Sequence, residues 1–100
     1  MKTKETVIEN IKAALRYLRS KEIDPFQGAD IYFYSNQTVK VVTYRNVYSY
    51  SEWFGETTTE ADLLGGERLY NWSLDMAYDA YINVSNRLQV KENKILDSVK

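Results

Sequence analysis

The residue types that most often carry out chemistry in proteins are scarce in this chain. It contains no cysteine and no histidine, which removes thiolate chemistry, cysteine-based zinc sites and the usual general base. Asp75 and Asp79 lie one helical turn apart, and such a pair can bind Mg²⁺ or share a proton. Without further ligands we interpret both as surface groups. Gly65-Gly66 lacks the lysine and the spaced glycines of a phosphate-binding loop. We therefore expect no catalytic residue, no cofactor, no metal and no enzymatic activity.

Tyrosine is the residue type that the chain offers instead. The segment Ile31–Phe54 holds eight of the 14 aromatic residues in less than a quarter of the length. A tyrosine combines a large rigid apolar surface with a hydroxyl that donates or accepts a hydrogen bond, and it is enriched in protein interfaces. This segment therefore carries the main functional hypothesis, which is recognition of another molecule.

The composition of the same segment predicts a sheet, because β-branched and aromatic residues suit a pleated, half-buried surface. Three strands are expected, over Ile31–Ser35, Thr38–Tyr44 and Val47–Phe54. The turns between them are assigned to Asn36-Gln37 and Arg45-Asn46, since asparagine tolerates the left-handed conformation that short hairpin loops require. The expected sheet is thus an antiparallel meander.

Side chains alternate across a strand, so the sheet should have two different faces. One face is expected to be aliphatic, with Ile31, Phe33, Val39, Val41 and Thr43. The other face is expected to be rich in tyrosine, with Tyr32, Tyr34, Lys40, Val42, Tyr44, Tyr48, Tyr50 and Glu52. The alternative role of the tyrosine face is purely structural, since cross-strand aromatic pairs stabilise a sheet by about 0.2–1 kcal/mol each.

One helix is predicted before the sheet segment in the sequence and another after it. Residues at the spacing of a buried helical stripe predict the first helix; they are Val7, Ile8, Ile11, Ala14, Leu15 and Leu18. Thr3 or Thr6 would cap its start. The spacing of apolar residues from Glu67 onward predicts a second helix of roughly 20 residues or more, after a short turn at Glu60–Leu64 that Gly65-Gly66 ends.

These elements predict a single α+β domain over residues 1–100, built as a two-layer sandwich. Its order is α-β-β-β-α, a three-stranded antiparallel meander flanked by an N-terminal helix and a long C-terminal helix. Both helices are expected to cover the aliphatic face. The alternative is that the C-terminal helix, with its own tyrosines, covers the tyrosine face.

The charges are balanced overall but unevenly distributed. The net charge is −1, so the whole molecule has no attraction to nucleic acid or to an anionic membrane. The segment 52–67 carries five acidic residues and no basic one; they are Glu52, Glu56, Glu60, Asp62 and Glu67. This acidic run can contact a basic partner, or it can be a solvated loop whose carboxylates favour helix N-termini. No apolar run is long enough to span a membrane, and a cytoplasmic location is expected.

The functional prediction is a small protein-binding module that inhibits or adapts a larger protein complex. Bacteriophage accessory proteins are often of this size and composition, and the prediction uses them only as an analogy. The expected contact residues are the tyrosines of the sheet and the adjoining acidic residues, Tyr32, Tyr34, Tyr44, Tyr48, Tyr50, Glu52, Glu56, Glu60 and Asp62.

Two alternatives remain open from the sequence. A sheet that bears aromatic residues can stack nucleic acid bases, here on Tyr32, Tyr34 and Tyr48, although the predicted sheet offers only Lys40 and Arg45 for phosphates. The chain can also be a self-associating structural protein. A homodimer contact through the C-terminal helix would use an approximate heptad seam, formed by Tyr81, Val84, Leu88, Ile95 and Val99.

Overall fold

The fold is α+β, with one sheet and two long helices. A computed structural model describes residues 2–45, 48–56 and 61–99, with the side chains of 4–44, 48–56 and 61–87. The helices and strands in chain order are α1 (Lys2–Ser20), β1 (Ala29–Tyr34), β2 (Val39–Arg45), β3 (Tyr48–Phe54), β4 (Leu63–Leu69) and α2 (Leu74–Val99). A short 3₁₀ turn, Pro25–Gln27, precedes β1, and the Asp24 side chain accepts a hydrogen bond from the Phe26 amide at its start.

The sheet has four antiparallel strands rather than the three that we predicted. Their spatial order is β3-β2-β1-β4, so β4 returns to pair with β1 after the meander β1-β2-β3 is complete. This arrangement is a Greek key, in which the fourth strand lies beside the first. The β1–β2 turn contacts the residues just before β4, where the Ser35 amide donates to the Asp62 carbonyl at 2.8 Å.

The fourth strand occupies residues that we expected to form a helical turn, a glycine break and the start of the second helix. The glycines and charges of Leu63–Leu69 give it low intrinsic strand propensity, so its conformation depends on tertiary pairing. Ile31 pairs with Glu67 and Ala29 with Leu69 across β1 and β4. The second helix therefore begins at Leu74, and the prediction of helix from Glu67 was wrong.

Both helices pack on the aliphatic face, as favoured from the sequence. The buried core joins the apolar stripe of α1 to β1, β2 and α2; it contains Val7, Ile11, Ala14, Leu15, Leu18, Ala29, Ile31, Phe33, Val39, Val41, Leu69, Trp72, Ala77, Ala80 and Val84. Phe33 at the centre meets the Tyr81 ring edge-on, with ring centroids 5.3 Å apart. The alternative in which α2 covers the tyrosine face is wrong.

The first helix is longer than predicted at its start. It begins at Lys2, so neither Thr3 nor Thr6 marks its first residue. Near its end the Arg19 guanidinium donates to the Trp72 carbonyl. The Trp72 indole N–H in turn donates to the Ile23 carbonyl at 3.1 Å, which fixes the segment before α2 against the end of α1.

The second helix is 26 residues long. Of the predicted heptad seam, the structure describes the side chains of Tyr81 and Val84. Val84 is buried in the core of the same chain and so is not open to a second copy, whereas Tyr81 packs against that core and is partly exposed. The seam side chains Leu88, Ile95 and Val99 lie outside the described side chains. Among the described residues, neither helix combines the length and the apolar character that crossing a membrane requires.

Candidate binding surface on the uncovered sheet face

The β1–β2 hairpin places three of the predicted tyrosines together on the face opposite the helices. Its three-residue turn, 35–37, is closed by a hydrogen bond from the Tyr34 amide to the Thr38 carbonyl, and Gln37 adopts a positive φ of 66° as such turns require. Tyr32 consequently pairs with Lys40. Paired residues of antiparallel strands point to the same side, which confirms Tyr32, Tyr34, Lys40, Val42 and Tyr44 as one surface.

In the third strand, the residues that we predicted for one face of the sheet lie on the other face. Arg45, the last residue of β2, pairs with Tyr48, and two residues separate them in the chain. A two-residue connection pairs even-numbered with odd-numbered positions, so Tyr44 shares its face with Ser49 and Lys40 shares its face with Trp53.

The assignment of three β3 residues to the tyrosine face was therefore wrong. Tyr48, Tyr50 and Glu52 lie on the helix side of the sheet, paired with Arg45, Thr43 and Val41. They remain exposed there because they occupy the outermost strand. The Tyr17 ring of α1 packs against Phe54 at the end of that strand, with ring centroids 5.7 Å apart.

We use the name uncovered face for the side chains that point away from both helices. Its members are Asp30, Tyr32, Tyr34, Lys40, Val42, Tyr44, Ser49, Ser51, Trp53, Leu63, Gly66 and Arg68. Two rows cross all four strands, Gly66–Tyr32–Lys40–Trp53 and Arg68–Asp30–Val42–Ser51. The first row is aromatic and the second is ionic, so the face has two chemically different halves.

The aromatic half is built around a lysine. The Lys40 ammonium lies 5.0 Å from the centroids of the Tyr32 and Trp53 rings and 5.8 Å from that of Tyr34, within the range of cation–π attraction. Tyr34 and Trp53 also contact each other, with centroids 4.9 Å apart. The Tyr32 ring lies directly over Gly66, where an added Cβ would come within 2.5 Å of it. We call Tyr32, Tyr34, Lys40 and Trp53 the aromatic cluster.

The ionic half is held by one carboxylate. Asp30 accepts from the Arg68 guanidinium at 3.1 Å and from the Tyr44 hydroxyl at 2.7 Å, through different oxygens. Arg68 also donates to the Gln27 carbonyl at 3.0 Å, and its guanidinium carbon lies 5.5 Å from the centre of the Tyr44 ring. The hydrogen bond to Asp30, together with partial desolvation and the negative charge of that carboxylate, raises the pKa of Tyr44.

The uncovered face is partly packed against itself and partly open to solvent. Val42, at its centre, is only 9% exposed, so its larger neighbours shield it. Tyr32 and Tyr34 are half-buried. Trp53 and Tyr44, by contrast, remain 42% and 46% exposed, and Leu63 beside Tyr34 is 54% exposed. The face therefore presents ring surface at both of its ends.

Two of the predicted acidic residues lie together at the end of the sheet nearest Tyr34. The Glu56 carbonyl accepts from the Asn36 side-chain amide at 2.7 Å and from the Thr38 hydroxyl. The Asp62 amide donates to the Ser35 hydroxyl at 2.9 Å. The β1–β2 turn thus holds both residues next to the aromatic cluster. Glu60 lies outside the described residues.

The remaining candidates form no site. Asp75 and Asp79 are both exposed on α2, and the described residues contain no group of three carboxylates that could hold a metal ion. On α1, the Lys12 ammonium pairs with Glu9 at 3.5 Å, and the Arg19 guanidinium donates to the Trp72 carbonyl. The Lys12–Glu9 pair is exposed to solvent, and the Arg19–Trp72 bond joins α1 to the segment before α2.

Sequence reasoning missed seven members of the uncovered face, which are Asp30, Ser49, Ser51, Trp53, Leu63, Gly66 and Arg68. The signal for Trp53 was present, since a two-residue loop after β2 places odd-numbered β3 residues beside Tyr44 and Lys40. Asp30 precedes the strand as we bounded it. Gly66 and Arg68 belong to a strand that no local pattern indicated.

Comparison of the chain with protein-family models, with curated proteins and with solved structures gave no match.

Proposed function

We propose that this chain is a non-enzymatic binding module and that its uncovered face contacts another protein. The observation that carries the proposal is the exposure of Trp53 and Tyr44 on a sheet face against which neither α1 nor α2 packs. Partly exposed aromatic rings with polar tips are the side chains that most often dominate the energy of protein interfaces. Such a module would act by inhibiting or adapting a larger complex.

The distribution of charge supports a protein rather than a purely apolar ligand. Lys40 and Arg68 place two cations among the rings, while Glu56 and Asp62 lie at the Tyr34 end. A partner with an apolar centre, a carboxylate near Lys40 and a basic side chain near Glu56 would be complementary to this arrangement. Complementary charges of this kind speed association and select the partner more than they add affinity.

The test compares two residues of the same strand that point to opposite faces. Trp53 lies on the uncovered face and Tyr50 on the helix side, with 42% and 52% of their surfaces exposed. The chain and its Trp53→Ala and Tyr50→Ala variants are used as bait for affinity capture from the cell that produces them. We expect wild type and Tyr50→Ala to retain the same proteins and Trp53→Ala to lose them, with a loss of affinity of roughly 30-fold for a central aromatic.

A second substitution in the aromatic cluster tests whether the loss of binding belongs to the surface as a whole rather than to Trp53 alone. Tyr34→Ala should weaken the same interaction, and circular dichroism should show that both variants remain folded. Retention of every captured protein by Trp53→Ala and Tyr34→Ala would show that the uncovered face is not the contact surface. A loss caused by Tyr50→Ala alone would move the surface to the helix side.

A single-stranded nucleic acid is the second candidate for the same face. The observation that favours it is the Lys40 ammonium among three rings, since single-strand binders combine stacking rings with cations that contact the phosphates. Tyr48 has no part in this version because it lies on the other face. Against it, Asp30 neutralises Arg68 at 3.1 Å, which leaves Lys40 as the cation that would meet phosphate.

A fluorescence titration of the chain with a single-stranded pyrimidine oligonucleotide separates the two candidates. Binding through phosphates must weaken steeply between low and moderate salt and must be lost in Lys40→Gln. The absence of any fluorescence change at low salt removes the nucleic acid candidate and leaves the protein-binding proposal intact.

A further inference from the structure

The two edges of the sheet differ in how their unpaired backbone groups are protected. An exposed edge strand is a template for another strand, and proteins usually guard it with bulges, glycine, proline, charged residues or a covering element. The edge strand β4 has several of these features, whereas β3 has almost none. This contrast identifies β3 as the place where a further strand can add.

On β4 the protection comes from both the backbone and α2. Its register against β1 shifts between Phe33 and Tyr34, and it contains Gly65, with a φ of 152°, and Gly66. Arg87 of α2 pairs with Glu67 at 2.8 Å and donates to the Gly66 carbonyl at 3.3 Å. A backbone carbonyl of this strand is therefore already bonded by a side chain of the helix.

On β3 the ladder is regular and the side chains are open on both faces. Seven consecutive pairs join it to β2 without a shift, from Arg45–Tyr48 to Val39–Phe54, and residues 48–53 are all exposed. The strand has no glycine or proline, and Glu52 is its one charged residue. In the part of the chain that the structure describes, β3 has a strand neighbour on one side only.

We infer that the β3 edge pairs with the β3 edge of a second copy of this chain, antiparallel and about a two-fold axis at Ser51. Ser51 is the midpoint of Tyr48–Phe54, so this register pairs all seven residues. Symmetric dimers of this kind bury the same patch on both copies. The inference does not depend on the proposed function, because it is argued from the unpaired backbone edge of β3, although Ser49, Ser51 and Trp53 of the uncovered face lie along that edge.

The sequence of β3 is complementary to itself in this register. Tyr48 lies opposite Phe54, Ser49 opposite Trp53, Tyr50 opposite Glu52, and Ser51 opposite Ser51. Aromatic pairs and hydroxyl–carboxylate or hydroxyl–hydroxyl pairs are favourable across strands, whereas like charges directly opposite are not. A shift that centres the axis on Glu52 would bring the two carboxylates together, so the single charge of the strand selects against it.

The position of α1 leaves room for this pairing. On the helix side of β3, Tyr48 and Tyr50 are 64% and 52% exposed, and an open groove of about 1050 Å³ runs past Tyr50, Tyr17 and Lys21. The Tyr17 ring packs against Phe54 at the far end of the strand, whereas residues 48–53 are exposed. The product is a continuous eight-stranded sheet with all four helices on one side.

A seven-residue ladder is a small interface compared with the roughly 1,600 Å² that a stable complex buries. We therefore expect a reversible dimer whose population increases with concentration. Sedimentation of the wild-type chain over a wide concentration range should show one chain at the dilute end and two at the concentrated end. A single species of one chain at every concentration overturns the inference and leaves the edge to a strand from a different protein.

Cross-linking tests the register, because the chain has no cysteine of its own. In a Ser51→Cys variant the two new side chains lie opposite each other, with Cβ atoms about 4.5–5.5 Å apart, close to the separation that a disulfide bridges. Ser49→Cys is the matched control, since it shares the strand and the face. Its two copies are four residues apart along the ladder, roughly 13 Å.

Mild oxidation should therefore give a covalent dimer with Ser51→Cys and at least tenfold less with Ser49→Cys. Equal yields from the two variants overturn the register. A charge exchange then tests the contact without a covalent bond. Ser51→Lys and Ser51→Glu should each sediment as one chain because like charges face each other, and a mixture of the two should sediment as a dimer. Persistence of the Ser51→Lys dimer at wild-type strength also overturns the inference.

Discussion

The two faces of the sheet use aromatic residues in opposite ways. On the helix side the Phe33 ring is fully buried and meets Tyr81 of α2, so its role is to hold the layers together. On the uncovered face the Trp53 ring contacts Tyr34 and Lys40 yet stays 42% exposed. The difference indicates that stability is concentrated in the helix-side face.

Removing one aromatic ring from each face tests this difference in stability most directly. Phe33→Ala leaves a cavity between the layers and should cost about 3–5 kcal/mol, a large part of the roughly 5–15 kcal/mol that stabilises a typical domain. Trp53→Ala removes one exposed aromatic contact and should cost about 0.5–1.5 kcal/mol. Urea unfolding followed by circular dichroism measures both. Comparable losses in the two variants would mean that the uncovered face belongs to the core.

The adjacent glycines of β4 give a finer version of the same test, because each faces a different side. A Cβ on Gly65 would lie 3.0 Å from a methyl group of Val84 in α2, and one on Gly66 would lie 2.5 Å from the Tyr32 ring. Gly65 also has a φ of +152°, a conformation that costs other residues about 1–3 kcal/mol. Gly65→Ala should therefore destabilise the fold by at least that amount.

Gly66→Ala should have a smaller effect on stability and a larger one on the aromatic cluster. The Tyr32 ring must move away from the new methyl group, which would also lie 3.1 Å from the Ile31 carbonyl oxygen. Replacing a strand glycine by alanine offsets part of this cost, by about 0.4–1 kcal/mol, through the unfolded chain. We expect a net change below about 1 kcal/mol in urea unfolding. In nuclear magnetic resonance spectra the ring signals of Tyr32 should shift while those of Phe33 stay in place. A Phe33 shift as large as that of Tyr32 would contradict this.

The hairpin turns explain how much of the uncovered face could be predicted from the sequence. Tyr32, Lys40 and Tyr44 were correctly placed on one face, although the turn was predicted at Asn36-Gln37. The observed turn, 35–37, has three residues, and this length keeps even-numbered residues of β1 and β2 on the same face. The loop after Arg45 has two residues and reverses the parity, which moved Tyr48 and Tyr50 to the helix side and Trp53 to the uncovered face. The predicted turn, Arg45-Asn46, also had two residues, but the face assignment did not apply the change of parity that such a loop imposes, and every β3 assignment was exchanged.

The fourth strand could not be predicted for a different reason. The segment 63–69 contains two glycines, two charged residues and three leucines, a composition with little local preference for a strand. Its conformation follows from pairing with the open edge of β1 and from the packing of Val84 near Gly65, and both are tertiary interactions. Arg68 and Gly66 joined the candidate site only through that pairing.

The smallest expected effect distinguishes the two halves of the uncovered face by titration. The hydrogen bond from the Tyr44 hydroxyl to Asp30, followed by partial desolvation and the charge of that carboxylate, raises the pKa of Tyr44. Because the folded pKa lies above the unfolded one, the stabilisation is complete below the unfolded pKa. It is lost as the pH rises through the folded pKa. The interaction therefore weakens only at strongly alkaline pH.

An ultraviolet difference titration between wild type and Tyr44→Phe isolates this tyrosine from the other eight. In an Asp30→Asn background the difference should move to lower pH, because the negative charge is gone and the nearby Arg68 cation favours the tyrosinate. Glu67→Gln is the control, since Glu67 pairs with Arg87 on the helix side and should leave the Tyr44 titration unchanged. If Tyr44 titrates at its ordinary pKa in the wild type, the ionic half does not hold its hydroxyl in solution.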